Sequence, residues 1–419
     1  MTFIKRKLLD NLRIHLSKNE ITVLIGARQT GKTTLMRRLE RELKERGEMT
    51  LFINLDIEDD VEYLKSQRTL LRKLDLEFGN RKGYVFIDEI QRKENAGVFL
   101  KGIYDLELPH KFIVSGSGSF ELREKIQESL AGRKRVFELD TVSFEEFVDF
   151  KTNYRYEGKL HEFFEVEPAT TLSFIEEYLQ FGGYPRVVIE KSQLEKLENI
   201  REIYRSYVEK DITYLLRVAK VHQFSLLVKM LAILEGRLLN LSRLSKEVGV
   251  SEKTIREYLW YLEKTYILDI ITPFHTNKVK ELTKMPICYF RDIGMRNYAA
   301  GEFGRLSDMR FPFQNFVYIQ LLEISRELDF TIHFWRSKDG AEVDFVLKRG
   351  ETLVPVEVKW QNMKDAEIPR SLRSFMKRYE PETAIVVNKS SHHAAKIYKT
   401  NVHILPFYRL QIFIREIFA

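Results

Sequence analysis

Through the first 150 or so positions, apolar residues fall into short unbroken runs alternating with stretches of helical spacing. Ile21-Thr22-Val23-Leu24-Ile25, Tyr84-Val85-Phe86-Ile87 and, after its leading lysine, Lys111-Phe112-Ile113-Val114 are largely apolar and β-branched or aromatic, as strands buried on both faces require. Thr34 to Glu40 instead spaces Leu35, Met36 and Leu39 as one face of a helix. This alternation predicts an α/β fold, a parallel sheet with helices on both faces, over residues 1–152.

The pattern then changes. Tyr154 to Glu167 is polar and aromatic without a firm period and is expected to be a loose connection. Thr171 to Leu179 predicts a helix that stops at Gly182-Gly183-Tyr184-Pro185, and Leu194 to Leu216 a longer one, giving a helical lid or adaptor over 153–222. There Tyr204, Arg205, Tyr207 and Lys210 are better read as aromatic core with solvated charges than as a nucleic-acid stripe. Leu241 to Leu259 has the form of a helix-turn-helix: Gly249 permits the turn, Ser251 caps the second helix, and Leu244, Val248, Ile255 and Leu259 join the two. This places a winged-helix unit over 223–277. Over 278–419 a mixed α/β unit is expected, with strands Phe330–Arg336, Glu342–Leu347 and Leu353–Lys359 joined by turns at Asp339-Gly340 and Lys348-Arg349-Gly350.

Composition narrows the class without selecting a function. The 419 residues are 44% hydrophobic and 31% charged, and no apolar run approaches the roughly 18 residues of a membrane span. The basic N-terminus lacks a following apolar core, so a cytoplasmic location and no membrane partner are expected. The single cysteine, Cys288, lies in an apolar stretch and excludes an intrachain disulfide or a cysteine-rich zinc site. Adjacent His392 and His393 lack the further ligands that a metal site needs. A net charge of +7 is compatible with nucleic acid, but 68 basic and 61 acidic residues are interspersed.

The chemistry begins at Gly26-Ala27-Arg28-Gln29-Thr30-Gly31-Lys32-Thr33, which fits G-x-x-x-x-G-K-[ST] at every fixed position and lies between the first strand and helix. Its backbone N–H groups are expected to cradle a polyphosphate, with Lys32 reaching the β and γ phosphates, Thr33 the Mg²⁺, and Thr34 closing the binding stretch. ATP and Mg²⁺ are therefore the expected ligands. Asp88 and Glu89 end the second apolar strand: Asp88 is expected to hold Mg²⁺ through water, and Glu89 to orient or deprotonate the attacking water. In Ser115-Gly116-Ser117-Gly118-Ser119, Ser117 is a candidate for sensing the γ-phosphate or positioning water, and a plain turn before a helix is the alternative. Arg133 is a candidate arginine finger, acting within the chain or from a neighbouring subunit of a homo-oligomer.

Two further groups concern partners. Should the helix-turn-helix bind DNA, Lys253, Thr254 and Arg256 at the start of its second helix would enter the major groove, although Glu252 and Glu257 dilute the charge. Such modules also dock proteins. In the last unit side chains alternate faces, so Glu342 and Asp344 share one strand face, Glu357 and Lys359 share one face of the next, and the four ionisable groups can converge.

Together Gly26 to Thr34, Val85 to Arg92, the Ser-Gly-Ser turn, Leu130 to Arg133, the Gly182–Pro185 turn and the C-terminal carboxylates resemble an AAA-type ATPase family of archaea and bacteria. The resemblance implies an ATPase core, a winged helix and a PD-(D/E)xK nuclease-like domain, in a family of poorly defined role. It further implies that Asp344 and Glu357 bind Mg²⁺ while Lys359 orients the water that attacks a phosphodiester. One departure counts against cleavage: members of the family usually carry a glutamate where Gln314 precedes Asn315-Phe316-Val317. Three expectations follow, an ATPase coupled to DNA, an ATP-controlled switch docking a protein, and an ATP-dependent endonuclease.

Overall fold

A computed structural model describes residues 3–116, 130–207, 221–275, 281, 284–363 and 368–418. After helix α1 (Leu8–His15), strand β1 (Ile21–Ile25) leads into α2 (Lys32–Glu45), β2 (Met49–Asn54), α3 (Glu58–Tyr63), α4 (Gln67–Phe78), β3 (Gly83–Asp88), α5 (Ala96–Tyr104), β4 (Lys111–Ser115) and β5 (Lys134–Glu138). The five strands form one all-parallel sheet in the order β2-β3-β4-β1-β5. Strands β1, β3 and β4 are buried along their whole length, because both faces are covered. Ile21, Val23 and Ile25 pack into the core shared with Leu70, Leu74 and Leu100, whereas Leu24 packs with Leu12, Leu35 and Leu39 on the opposite face.

The middle of the chain is helical: α6 (Phe144–Lys151), α7 (Leu160–Val166), α8 (Pro168–Phe181), α9 (Pro185–Ile189), α10 (Gln193–Arg205) and α11 (Val221–Ile233). The stretch expected to be a loose connection contains α7, which buries Leu160, Phe163 and Phe164. Seven residues are too few for a helical period to declare itself, and the helix is held by tertiary packing. Of the expected helix to Leu216, α10 supplies the part to Arg205, and positions 208–220 lie outside the described residues.

Helices α12 (Leu241–Val248) and α13 (Glu252–Lys264) meet at Gly249, whose φ of 76° only glycine adopts freely. The Asn240 side chain accepts from the Arg243 N–H and the Ser251 hydroxyl from the Thr254 N–H, capping the two helices. Leu244, Val248, Ile255 and Leu259 are buried together. Antiparallel strands β6 (Leu268–Ile271) and β7 (Ile287–Phe290) follow.

Helices α14 (Ile293–Ala300) and α15 (Arg310–Leu328) precede β8 (Thr331–Arg336), β9 (Glu342–Arg349), β10 (Thr352–Val358), α16 (Arg370–Tyr379), β11 (Thr383–Asn388), β12 (His393–Ile397), β13 (Thr400–Pro406) and α17 (Leu410–Phe418). These strands form a mixed sheet in the order β12-β13-β11-β10-β9-β8. Helix α15 shares one core with Phe345, Leu347, Val354 and Val356, and α16 shares the other with Val343, Val346, Val386 and Val402. Among the described residues, no helix is long and apolar enough to cross a membrane.

The two sheets are tied by apolar and polar contacts. The Phe144 ring meets Phe316 and Phe407 edge-on, both at 5.6 Å. Arg291 binds both oxygens of Asp269 at 2.8 and 2.7 Å and also Glu138, while Arg326 donates to Glu138 at 2.6 Å and to Asp140.

Candidate functional site

The loop between β1 and α2 lies at the carboxyl edge of the parallel sheet, where ligands of open α/β sheets bind. Gly26 has φ 145°, and a Cβ there would stand 2.2 Å from the Leu139 carbonyl oxygen of the chain leaving β5. Only glycine lets the loop pass so close. Gly31, at φ 96°, turns the chain into α2. Inside the loop, the Thr30 hydroxyl donates to the Ala27 carbonyl at 2.9 Å. Thr33 and Thr34 are exposed on the first turn of the helix.

Lys32 is buried, and its Nζ donates to the carbonyls of Gly26 at 3.1 Å and Ala27 at 2.6 Å. Burial pushes its pKa down to about 8, against the upward pull of Glu89 and Asp88. The sign is testable. Above about pH 8 the free loop loses the ammonium that a phosphate attracts, so ATP affinity is expected to fall by up to tenfold per pH unit between about pH 8 and 10. Titrating a fluorescent ATP analogue at successive pH values measures this, and a flat profile would remove Lys32 charge as a determinant.

At the end of β3, Asp88 is buried and accepts from the Ser115 hydroxyl at the end of β4. Glu89 turns into the left-handed region at φ 58°, is half-buried, and accepts from Gln91 Nε2. Left-handed non-glycine residues concentrate at functional sites. The hydroxyl beside the Asp88 carboxylate is thus that of Ser115, whereas Ser117 lies outside the described residues.

Two side chains from far away in sequence complete the loop. Arg6 is buried: its guanidinium donates to Thr30 O at 3.0 Å, Asp140 O at 2.7 Å, Thr141 O at 3.0 Å and Glu146 Oε2 at 2.9 Å. The Tyr207 hydroxyl accepts from the Arg28 backbone N–H. Nothing near the motif signals either residue. Tyr204 and Tyr207 are core residues while Arg205 is exposed, as the apolar reading of that stretch expects.

Arg133 requires a correction. Its carbonyl accepts from the Ile21 N–H, and Lys134 pairs with Ile21, so Arg133 stands at the amino edge of the sheet. The loop follows Ile25, about 13–16 Å further along β1. Arg133 pairs with Asp105 at 2.8 Å. Its distance excludes a finger acting on the loop of its own chain.

The C-terminal carboxylates also converge, though not by strict alternation. His333 pairs with Val346 and Trp335 with Val343, so β9 carries one more residue than β8 and forms a bulge around Asp344. Val343 and Phe345 consequently enter different cores. Asp344 accepts from Gln314 Nε2 and from the Val358 N–H, each at 2.7 Å. Burial and then the Glu357 charge hold its pKa well above the usual range. Burial likewise raises Glu357, whose Oε1 accepts from Lys359 Nζ at 2.8 Å and whose Oε2 is buried without a hydrogen-bond partner among the described residues. Burial raises Glu342 as well, against Arg336. An orphaned carboxylate oxygen beside a second carboxylate fits a divalent cation, although no group of three such side chains is placed to hold one among the described residues.

In the helix-turn-helix, Lys253 and Arg256 are exposed and Thr254 is half-buried on the first turns of α13. That helix carries three bases and three acids, whereas α16 carries Arg370, Arg373, Lys377 and Arg378 and no acid.

Residues 18–148 match the family described as AAA domain, the stretch that contains the parallel sheet and the glycine loop between β1 and α2. Residues 173–305 and 311–410 match two domains of unknown function, DUF8612 and DUF4143. The uncharacterized protein MJ1544 of Methanocaldococcus jannaschii is 26% identical over 88% of this chain and 80% of its own length. Uncharacterized protein Rv2008c of Mycobacterium tuberculosis is 24% identical over 94% of this chain and 81% of its own. AMPPCP-bound DnaA from Aquifex aeolicus overlaps at TM-score 0.27 and 14% identity, covering 71% of this chain and 92% of that one. Cdc6p from Pyrobaculum aerophilum overlaps at 0.32 and 12%, covering 73% and 95%. At these scores the structural likeness carries no functional conclusion.

Proposed function

We propose that this protein is a Mg²⁺-dependent ATPase whose cycle is coupled to DNA through its C-terminal half. The observation supporting hydrolysis is the placement of Lys32, Asp88 and Glu89 around one loop at the carboxyl edge of the sheet, with Asp88 oriented by Ser115. Lys32 and the loop N–H groups would bind the phosphates. Thr33 and Asp88 would hold Mg²⁺, whose charge offsets that of the phosphates. Glu89, released from Gln91, would orient the attacking water and take its proton. DNA as partner is supported by the acid-free basic face of α16 and by Lys253, Thr254 and Arg256 on α13.

A second reading is an ATP-controlled switch that docks a protein, with a catalytically inactive C-terminal cluster. It is favoured by Gln314, whose amide occupies Asp344 where a third carboxylate would stand. In the third reading, an ATP-dependent endonuclease, the orphaned Glu357 oxygen binds Mg²⁺ with Asp344, and Lys359 orients water. Hydrolysis measured with and without duplex, branched and single-stranded DNA, with Glu89→Gln as blank, separates the three. Stimulation by DNA is expected, and no response to any form would favour the docking switch. Mg²⁺-dependent nicking lost in both Asp344→Ala and Glu357→Ala would establish the endonuclease.

A further inference from the structure

The Gly182-Gly183-Tyr184-Pro185 turn has no part in the ATP site as described, yet it is built with little tolerance. A Cβ on Gly182 would stand 2.4 Å from the Gly294 nitrogen, and one on Gly183 would stand 2.3 Å from the Val142 carbonyl oxygen. The Gly183 N–H donates to Asp292 Oδ2 at 2.8 Å, and the Val142 N–H to the Gly183 carbonyl at 2.7 Å. The turn is thereby locked to the N-terminus of α14 and to the chain between β5 and α6. Tyr184 is buried beside Tyr207, and burial together with that phenol holds its pKa well above the usual range. Tyr207 in turn accepts from the Arg28 N–H, a donor of the phosphate-binding loop.

A backbone N–H carries one proton and makes one strong hydrogen bond at a time. Loops of this type bind phosphate through such N–H groups. Tyr207 therefore occupies a donor of the kind that a polyphosphate needs.

We propose that Tyr207 is a positioning residue of the ATPase cycle: its hydroxyl holds the Arg28 amide in the nucleotide-free loop, surrenders it to ATP phosphate, and passes the change through Tyr184 to the Gly182–Pro185 turn. The proposal rests on the ATPase reading. It gives the loop a direct connection to the helices between the two sheets, with both tyrosine hydroxyls buried where an unmade hydrogen bond is costly.

Tyr207→Phe removes the hydroxyl and keeps the ring. Without the competitor, AMPPNP is expected to bind about two- to tenfold tighter, the size of one net hydrogen bond. In the full-length wild type, AMPPNP is expected to speed hydrogen–deuterium exchange in a peptide covering 180–190, and Tyr207→Phe to abolish that response. A purely structural tyrosine would lower thermal stability and leave the nucleotide response of the turn intact, which overturns the proposal, as does unchanged affinity in the variant. Should Tyr207→Phe fail to fold, wild-type exchange still decides: a turn that is unmoved or slowed by bound AMPPNP overturns this inference alone. A wild type that binds no AMPPNP overturns the ATPase reading beneath it.

Discussion

Glu89→Gln is expected to lower the kcat of ATP hydrolysis by about 10²–10⁴-fold, the usual contribution of a positioned general base, while ATP remains bound. Glu89 follows the buried Asp88, on backbone turned to φ 58°, and its carboxylate accepts from the Gln91 amide. A carboxylate so held needs only to exchange one neutral hydrogen bond to reach a water near the γ-phosphate. Glutamine keeps the shape and removes the proton acceptor. Lys32→Ala is expected to fail earlier, at binding, because it deletes the buried ammonium against the loop carbonyls. Equilibrium binding of labelled ATP together with single-turnover hydrolysis separates the two steps. Wild-type turnover in Glu89→Gln would remove Glu89 from the chemistry.

The second large effect concerns stability. Arg291 is the centre of a partly buried charge network, with Asp269 held bidentately, Glu138 bonded and Asp140 at 3.8 Å. Tyr318 adds a hydrogen bond to Asp269 at 2.9 Å. Substituting Met keeps most of the length but leaves these carboxylates short of a partner in a poorly hydrated place. Removing one partner of a fully buried pair costs about 3–5 kcal/mol, and the partial exposure of this network, with Arg326 also serving Glu138 and Asp140, sets Arg291→Met at about 2–3 kcal/mol. Urea denaturation at constant m-value measures the change. The control is Arg133→Met, whose partly exposed pair with Asp105 predicts about 0–1 kcal/mol. Equal losses in the two variants would mean that the network does not hold the sheets together.

Much of the proposed ATP site could be read directly from the chain. The loop glycines, Lys32, Thr33, Asp88 and Glu89 are local features, since the strand, turn and helix that present them are neighbours in sequence. The helix-turn-helix was legible for the same reason, its cap Ser251 and its turn glycine lying within a few residues of the helices they shape. The carboxylates of β9 and β10 were legible as types and spacings, but the bulge that reorients Asp344 depends on pairing with β8 and breaks the period of two.

Tertiary structure decided what local pattern does not encode. Periodicity tells which residues of a strand share a face, but not which strand lies beside it. The order β2-β3-β4-β1-β5 places β5 next to β1, bringing Leu139 over Gly26 and sending Arg133 to the edge remote from the loop. Arg6 meets Thr30 across 24 positions, Tyr207 meets Arg28 across 179, and Arg326 meets Glu138 across 188. Each of these side chains reads locally as an ordinary basic or aromatic residue. The sequence by itself determined the strand, glycine loop and helix at which phosphate binding is proposed, because backbone conformation and adjacent side chains suffice for such a loop. The tertiary structure alone determined what positions that loop and ties it to the second sheet, because burial and partnership belong to the packed chain and not to any segment of it.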